Sequence, residues 1–332
     1  MKSSTIKTVI LIPAILLCFS MSIISQNLKE INTISFEEGR ELTAANITPD
    51  DKYIICGFNN GNINVFETLT GKLVFELNRH NGEIYSISFD QKGKYFVSAG
   101  LDRSAIVWSI SSGKQLKSFT ENGDAVWTAE ITPDTKYVVT GGTEQVISVW
   151  ELVSTKKFRT LWGHKDRVYA LKVTKDGSKV ISVSGDRSIK IWDISKQLLL
   201  NTIGSAHTND ITSLAISPDE RFFVTGAKDN TVKIWDFKTY DNLATLRGHM
   251  WHIKEVDISP DSKYIVSSSW DNTFILWEVA TESNVKTIES HQNPVIDVAF
   301  SKTGKYLISC DANKVILWDT GMDINIETTE SN

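Results

Sequence analysis

Residues 217–236 read SPDERFFVTGAKDNTVKIWD, and this stretch decides the fold because its parts return along the whole chain. A short apolar segment ending in an aromatic residue recurs at intervals of 42, 42, 42, 43, 42 and 41 residues. The aromatic positions are Phe66, Trp108, Trp150, Trp192, Trp235, Trp277 and Trp318. A fixed period indicates a repeat architecture in which each repeat forms one supersecondary unit. The sequence therefore predicts seven similar units.

A turn precedes the second strand of each repeat, as in TPDDKY (48–53), SPDERF (217–222) and SKTGKY (301–306). Proline presets φ for such a turn, and Asp hydrogen-bonds the backbone that follows it. The next residues alternate or run apolar, as in YFVSAG (95–100), which is the pattern of a β-strand. Helical periodicity of useful length is absent, so each repeat is predicted to contain four short strands.

These repeats resemble the WD40 family, which has a period of about 40–45 residues, four strands per repeat, and GH and WD signatures. The GH pair is intact at 163–164 and 248–249, and the WD pair at 192–193, 235–236 and 318–319. The match covers roughly residues 28 to 320. The resemblance implies an all-β fold, a seven-bladed WD40-type β-propeller with four antiparallel strands per blade.

The resemblance also implies how the ring is closed. An open row of blades would leave unpaired strand edges. In the family, an N-terminal strand usually completes the last blade. Residues 30–36 (EINTISF) precede the first inner strand much as residues 73–77 (LVFEL) precede the second, so they are assigned to blade seven. Residues 323–327 (DINIE) are the competing segment.

The N-terminus is typical of an export signal. Residues 1–25 contain Lys2 and Lys7, no acidic residue, and an uncharged apolar run over 9–24. We assign 1–25 to a signal peptide, 26–320 to the propeller and 321–332 to a C-terminal tail. The run is short for a membrane span of about 20 residues, and an uncleaved anchor is the alternative. We expect an exported protein in the periplasm, the cell envelope or the extracellular space, with membrane contact only through this segment if it stays uncleaved.

The charge balance disfavours two classes of partner. The formal net charge is −5, and removing residues 1–25 leaves 33 basic and 40 acidic residues. Nucleic-acid binding depends on a basic patch or stripe, and none is visible in the sequence. The same balance disfavours an anionic membrane surface. We therefore expect no nucleic-acid partner.

Ser, His and Asp recur together, which at first suggests a nucleophilic active site. The clearest sets are His80, Ser98, Asp102 and Trp108; His164, Ser182, Asp186 and Trp192; His207, Thr225, Asp229 and Trp235; His249, Ser267, Asp271 and Trp277; and, with Asp out of step, His291, Ser309, Asp311 and Trp318. A hydrolase needs one such set beside an oxyanion pocket, not one per repeat. The resemblance implies buried hydrogen-bond chains that fix each blade. We predict no catalytic residue, no cofactor and no metal site.

Two repeats depart from this pattern. Blade one has Cys56, Asn60 and Phe66 with no His, and blade three has Asn122 near the missing His. We expect packing to hold these two blades. The remaining cysteines, Cys56 and Cys310, fall on equivalent strands of neighbouring blades. A bond between them is conceivable, and buried free thiols are the favoured interpretation.

The resemblance places partner contacts on the top surface, where the first strand of each blade starts and its second strand ends. The candidate protein-binding residues there are Tyr85, Leu101, Trp127, Arg167 and Tyr169, and on blade six Trp251, His252, Lys254 and Trp270. Trp, Tyr and Arg often anchor protein interfaces. The alternative for the first group is that its rings line the upper channel and pack on each other.

We therefore expect a non-catalytic scaffold, a single propeller that binds a protein or peptide within a complex. One alternative is a propeller enzyme, a hydrolase or lyase with a site at the channel mouth. Its candidate groups are Glu41, Glu83 and Asp210. The other alternative is an intracellular WD40 adaptor whose N-terminus only imitates a signal.

Overall fold

The computed structural model describes residues 28–322. Within that range the chain forms 28 β-strands and no helix. The strands make seven separate four-stranded antiparallel sheets, which are the seven blades. The predicted seven-bladed all-β propeller is confirmed.

Strand β1 (Lys29–Ser35) comes first in the chain but belongs to the last sheet. The other strands of blades one to four follow from inner to outer within each blade. They are β2 (Leu42–Ile47), β3 (Tyr53–Phe58), β4 (Asn62–Glu67) and β5 (Leu73–Asn78); β6 (Ile84–Phe89), β7 (Tyr95–Gly100), β8 (Ala105–Ser109) and β9 (Gln115–Phe119); β10 (Val126–Ile131), β11 (Tyr137–Gly142), β12 (Val146–Glu151) and β13 (Lys157–Trp162); β14 (Val168–Val173), β15 (Lys179–Ser184), β16 (Ile189–Asp193) and β17 (Leu198–Ile203).

Blades five to seven repeat the pattern. Their strands are β18 (Ile211–Ile216), β19 (Phe222–Ala227), β20 (Thr231–Asp236) and β21 (Asn242–Arg247); β22 (Ile253–Ile258), β23 (Tyr264–Ser269), β24 (Phe274–Glu278) and β25 (Ser283–Ile288); β26 (Asp297–Phe300), β27 (Tyr306–Asp311) and β28 (Lys314–Asp319). The inner strands contact one another around the ring, and β26 contacts β2.

The ring is closed by the first strand of the chain. Strand β1 pairs antiparallel with β28, so blade seven has the order β1-β28-β27-β26. Ile34 lies opposite Val315, and a bulge falls between Glu30 and Asn32. The assignment of residues 30–36 to blade seven is confirmed within one residue. The competing segment 323–327 lies outside the described residues.

The core lies between neighbouring blades. One cluster joins Phe58 and Phe66 of blade one to Ile308 and Leu317 of blade seven. Successive side chains of a strand point to opposite faces of its sheet. Since neighbouring blades cover both faces, apolar side chains occur on both. Cys56 belongs to this same cluster. It is free, as is Cys310, and burial raises the pKa of the Cys56 thiol well above its ordinary value.

The two faces of the ring carry different loops. The top face carries the connections from each outer strand to the inner strand of the next blade, and also the turns between the second and third strands of each blade. The bottom face carries the other turns. Among residues 28–322, no helix is long and apolar enough to cross a membrane. The predicted signal or anchor at 1–25 lies outside the described residues.

Candidate functional site

The recurring Ser-His-Asp sets form closed hydrogen-bond chains inside the blades. In blade five, His207 Nε2 lies 2.7 Å from Thr225 Oγ1, and Nδ1 lies 3.0 Å from Asp229 Oδ2. Trp235 Nε1 donates to the same Thr225 hydroxyl at 2.9 Å. The chains of His80, His164, His249 and His291 have the same partners, so the out-of-step Asp311 also takes its place.

The electrostatics of these chains suit a structural role. Burial opposes ionisation of Asp102, but hydrogen bonds from His80 and Ser104 outweigh burial and lower the pKa of this carboxyl to about 2. Burial lowers the pKa of His164 and of His207 despite their Asp partners. A neutral imidazole therefore accepts a hydrogen bond from the hydroxyl at Nε2 while donating one to the carboxylate from Nδ1. Since each hydroxyl also accepts an indole N–H, it is held inside the blade.

Blades one and three lack the His, and different contacts stabilise each of them. In blade one, the Arg40 guanidinium lies 4.2 Å from the centre of the Phe58 ring, and Phe36 meets that ring edge-on at 5.0 Å. Packing holds this blade, as expected. In blade three a shortened hydrogen-bond chain persists beside the packing. Thr140 Oγ1 donates to Asn122 Oδ1 at 3.1 Å and accepts from the Trp150 indole at 2.9 Å.

A cavity of about 610 Å³ occupies the central channel and opens at the top face. It lies among the inner strands, so residues from all seven blades reach it. Seven of the nine candidate binding residues line it: Tyr85, Trp127, Arg167, Tyr169, His252, Lys254 and Trp270. Leu101 and Trp251 lie outside the lining, although both are exposed. The structure thus brings most of the candidates to one opening.

The three aromatic residues of blades two to four form a continuous arc. Tyr85 stacks on Trp127 with ring centres 4.2 Å apart, and Trp127 meets Tyr169 edge-on at 5.3 Å. The Arg167 guanidinium lies 5.8 Å from the centres of both Trp127 and Tyr169. All three rings are half-buried. They line the upper channel and pack on each other, and each ring stays partly exposed.

A polar cluster continues the arc onto blade five. Lys228 Nζ lies 2.8 Å from Asp210 Oδ2 and donates to the Tyr169 hydroxyl at 3.1 Å. The Tyr169 hydroxyl donates to Asp210 at 3.2 Å. Burial opposes the charge of Asp210, but the lysine hydrogen bond lowers the pKa of this carboxyl. Asp210 is therefore engaged by Lys228, a partner that was not predicted from the sequence.

Blade six carries the most exposed apolar group of the top face. Trp251 is 57% exposed and Trp270 is 48% exposed, with the His252 ring between them at 6.4 and 6.1 Å. Met250, which directly precedes Trp251 in the loop between β21 and β22, is 79% exposed. Met250 was not among the predicted residues, although a large apolar residue directly after the GH pair was a usable signal. We call Met250, Trp251 and Trp270 the blade-six patch.

Deeper in the channel, carboxyl groups bridge neighbouring blades. Asp297 accepts from the backbone N–H of Ala45 at 2.9 Å, and Asp257 accepts from that of Phe300 at 2.8 Å. Burial raises the pKa of Asp257 to about 6. The free edge of an inner strand presents unpaired N–H groups, and these side chains satisfy them. These bridging carboxyl groups were not predicted from the sequence.

Two further ionisable side chains, Glu255 and Lys172, also lie deep in the channel lining. Burial raises the pKa of Glu255 to about 7, against hydrogen bonding by the Ser213 hydroxyl. Lys172 lies 2.6 Å from Glu130, whose carboxylate outweighs the effect of burial and raises the pKa of the lysine. No cluster of three or more His, Cys, Asp or Glu side chains suited to a metal ion occurs in the part of the chain that the structure describes.

Comparison with known protein families agrees with the repeat. The family model "WD domain, G-beta repeat" matches residues 199–236, 240–278 and 282–319. A second model, "NWD2 C-terminal beta-propeller", matches residues 74–209. Together these matches extend from blade one to blade seven.

Individual relatives match over short segments. Transcription factor unc-37 of Caenorhabditis elegans is 33% identical over 60 residues, which are 18% of this chain and 10% of that protein. WD repeat-containing protein 18 of Mus musculus is 33% identical over 69 residues, which are 21% of this chain and 16% of that protein. F-box-like/WD repeat-containing protein TBL1Y of Homo sapiens is 29% identical over 69 residues, 21% of this chain and 13% of its own length.

The matched segments span no more than 16% of these relatives' own length, so the likeness extends to one or two repeats of each. The family match agrees with the repeat period, the hydrogen-bond chains and the closed ring, which are all typical of a WD40-type propeller. The chain contains WD40 repeats over residues 199–319, and its seven blades form one closed propeller.

Proposed function

We propose that this protein is a non-catalytic scaffold that binds a protein or peptide on its top face. The observation that carries the proposal is the blade-six patch beside the channel mouth. Exposed Trp and Met side chains in a joined group mark protein interaction sites more often than chance exposure does. The aromatic arc lies across the same opening and offers further apolar contact. Such a surface suits a segment that enters the mouth and rests on the patch.

The blade interiors support a non-catalytic role. A serine hydrolase needs a hydroxyl that can reach substrate and an adjacent oxyanion pocket. Here the side chain of His207 is fully buried, and Thr225, its hydroxyl partner, is also inside the blade. The same enclosure recurs in each blade that carries the set. These groups stabilise the fold.

One observation favours the enzyme alternative, a hydrolase or lyase acting in the channel. Glu255 and Asp257 have pKa values raised by burial to about 7 and about 6, and such carboxyls can act as general acids. Both also bond neighbouring strands, which gives them a structural use. The earlier candidate Asp210 is engaged by Lys228. We therefore place this alternative second.

We also propose that the protein acts outside the cytoplasm. The support is the sequence of residues 1–25, with its basic start and apolar run. Fractionation combined with intact-mass measurement tests this. A shortened protein in the envelope or medium is the expected result, whereas full-length protein confined to the cytosol would support the intracellular adaptor.

The scaffold proposal is tested by affinity capture from envelope and medium, with mass spectrometry and then a binding titration of the purified partner. Wild type is compared with Trp251→Ser/Trp270→Ser. The matched control is Leu69→Ser/Val153→Ser, which removes two exposed apolar residues from bottom-face turns. We expect the first variant to bind the partner about tenfold more weakly or worse, and the control to bind normally. Equal binding by all three proteins would reject the top-face assignment.

A second variant separates the patch from the arc. Replacing Tyr85, Trp127 and Tyr169 with Ala removes the rings that stack at the mouth. Loss of the partner by this variant, with an unchanged melting temperature, would extend the binding surface across the channel. Retention would confine it to blade six.

A further inference from the structure

Within the described residues, one lysine at the channel mouth has no carboxylate in ion-pair distance. Three lysines line the cavity, and two of them are paired, Lys172 with Glu130 at 2.6 Å and Lys228 with Asp210 at 2.8 Å. Lys254, on β22, is the third. Among residues 28–322 no carboxylate oxygen lies within 4.0 Å of its ammonium group.

The surroundings of Lys254 do not compensate its charge. Burial lowers the pKa of this lysine, and the more distant carboxyls of Glu255, Asp297 and Glu83 do not reverse that effect. Buried charges in proteins are normally paired, because the lost hydration must be replaced by a partner. An ammonium group in this state gains stability from any carboxylate that reaches it.

Among residues 28–322, no carboxylate at the mouth forms an ion pair with Lys254. Asp210 holds Lys228, and Glu83 acts on Lys254 only from beyond 4.0 Å. Arg167 has only an exposed ion pair with Asp166 at 3.8 Å, and such pairs contribute little. Lys254 and Arg167 are therefore the cations at the mouth that remain available to a ligand carboxylate. A cationic ligand would meet both groups before it reached the deeper carboxyls.

Apolar surface flanks these cations on both sides. The rings of Trp127 and Tyr169 stand on one side of the opening, and Trp270 stands on the other. A ligand that suits this arrangement has an acidic group between apolar neighbours. Its carboxylate would enter the mouth while the flanking side chains cover the arc and the blade-six patch.

We propose that the partner is recognised through an acidic side chain, Asp or Glu, which enters the channel mouth and pairs with Lys254. This inference rests on the proposed scaffold function and names the chemistry of its ligand. Arg167 assists from the rim. The segment is extended and enters the channel only by that side chain, because the inner strands leave no room for a folded domain.

The test uses a library of random octapeptides, acetylated and amidated so that only side chains carry charge, presented to the full-length protein. Wild type is compared with Lys254→Gln, Lys254→Glu and the exposed-lysine control Lys196→Gln. We expect wild type and the control to enrich Asp or Glu at one position about tenfold or more. Lys254→Gln should lose that preference but keep the apolar positions, and Lys254→Glu should select Lys or Arg.

The outcomes separate this inference from the function on which it rests. Peptides enriched without an acidic position, or with an acidic position that survives in a folded Lys254→Gln protein, would overturn the inference and leave the scaffold intact. Retention of no peptide by wild type would overturn both. Melting temperatures of the variants establish that each is folded.

Discussion

The carboxylate of Asp297 accepts a hydrogen bond of 2.9 Å from the backbone N–H of Ala45, across the seam where blade seven meets blade one. These residues are far apart in sequence and lie in different sheets. Strand pairing therefore cannot satisfy this N–H, and a side chain from the next blade does so instead. Asp257 performs the same task for Phe300 between blades six and seven.

This seam gives a first prediction. Asp297→Ala should lower the free energy of unfolding by about 1 kcal/mol, because the Ala45 N–H loses its acceptor. Asp297→Asn keeps an acceptor oxygen and removes a carboxyl whose pKa is raised by burial, so it should be at least as stable as wild type at neutral pH. Urea denaturation of both variants measures the difference. If Asp297→Ala and Asp297→Asn lose the same stability, the acceptor oxygen that Asn retains for the Ala45 N–H does not contribute.

Glu255 gives a pH-dependent prediction. Its pKa is about 7 in the folded protein and about 4.5 when unfolded, so the folded state holds the proton more tightly. The unfolding free energy therefore falls as pH rises through that interval. Glu255→Gln should add about 1 to 3 kcal/mol of stability near pH 8, and the gain should disappear near pH 4. Denaturation curves across this range test it, and a gain independent of pH would contradict the assignment.

The hydrogen-bond chain of blade five gives a third prediction. Thr225→Val keeps the side-chain shape but removes the hydroxyl between His207 Nε2 and the Trp235 indole. Two buried polar groups then lack a partner, so stability should fall by about 2 to 4 kcal/mol. The control Thr287→Val alters an exposed strand residue and should change stability by less than about 0.5 kcal/mol. Chemical denaturation of both proteins decides whether the chain matters.

Ring closure gives a fourth prediction. Ile34 of β1 pairs with Val315 and packs into the cluster shared by blades seven and one. Ile34→Asp places an unpaired charge in this cluster and should lower the free energy of unfolding by about 2 to 4 kcal/mol. Ile31 lies at the bulge of the same strand and is 41% exposed. Ile31→Asp should therefore leave the melting temperature nearly unchanged, and similar losses in both variants would argue against the pairing.

The fold could be predicted from the sequence because each blade repeats the same pattern of residues. A turn, an apolar strand and a terminal aromatic recur seven times, so a weak signal in one repeat is corrected by the others. Blade three shows the limit. Asn122 takes the place of His and still reaches Thr140, which depends on side-chain geometry that spacing does not contain.

The candidate site was only partly predictable. Aligning the repeats placed Tyr85, Trp127 and Tyr169 on consecutive blades, and the structure brings them into contact. How much of each ring is exposed depends on how the rings stack, which no single repeat determines. The pairing of Lys228 with Asp210 was missed because only the folded ring brings those side chains together at the mouth.

The antiparallel pairing of β1 with β28 also fixes where the described chain enters and leaves the ring. Lys29 lies opposite Asp319, at the bottom end of blade seven. The route into the propeller and the route out of it are thus side by side, on the face away from the channel mouth. A surface or a fused domain attached through either route holds the propeller from beneath, with the blade-six patch and Lys254 directed outward.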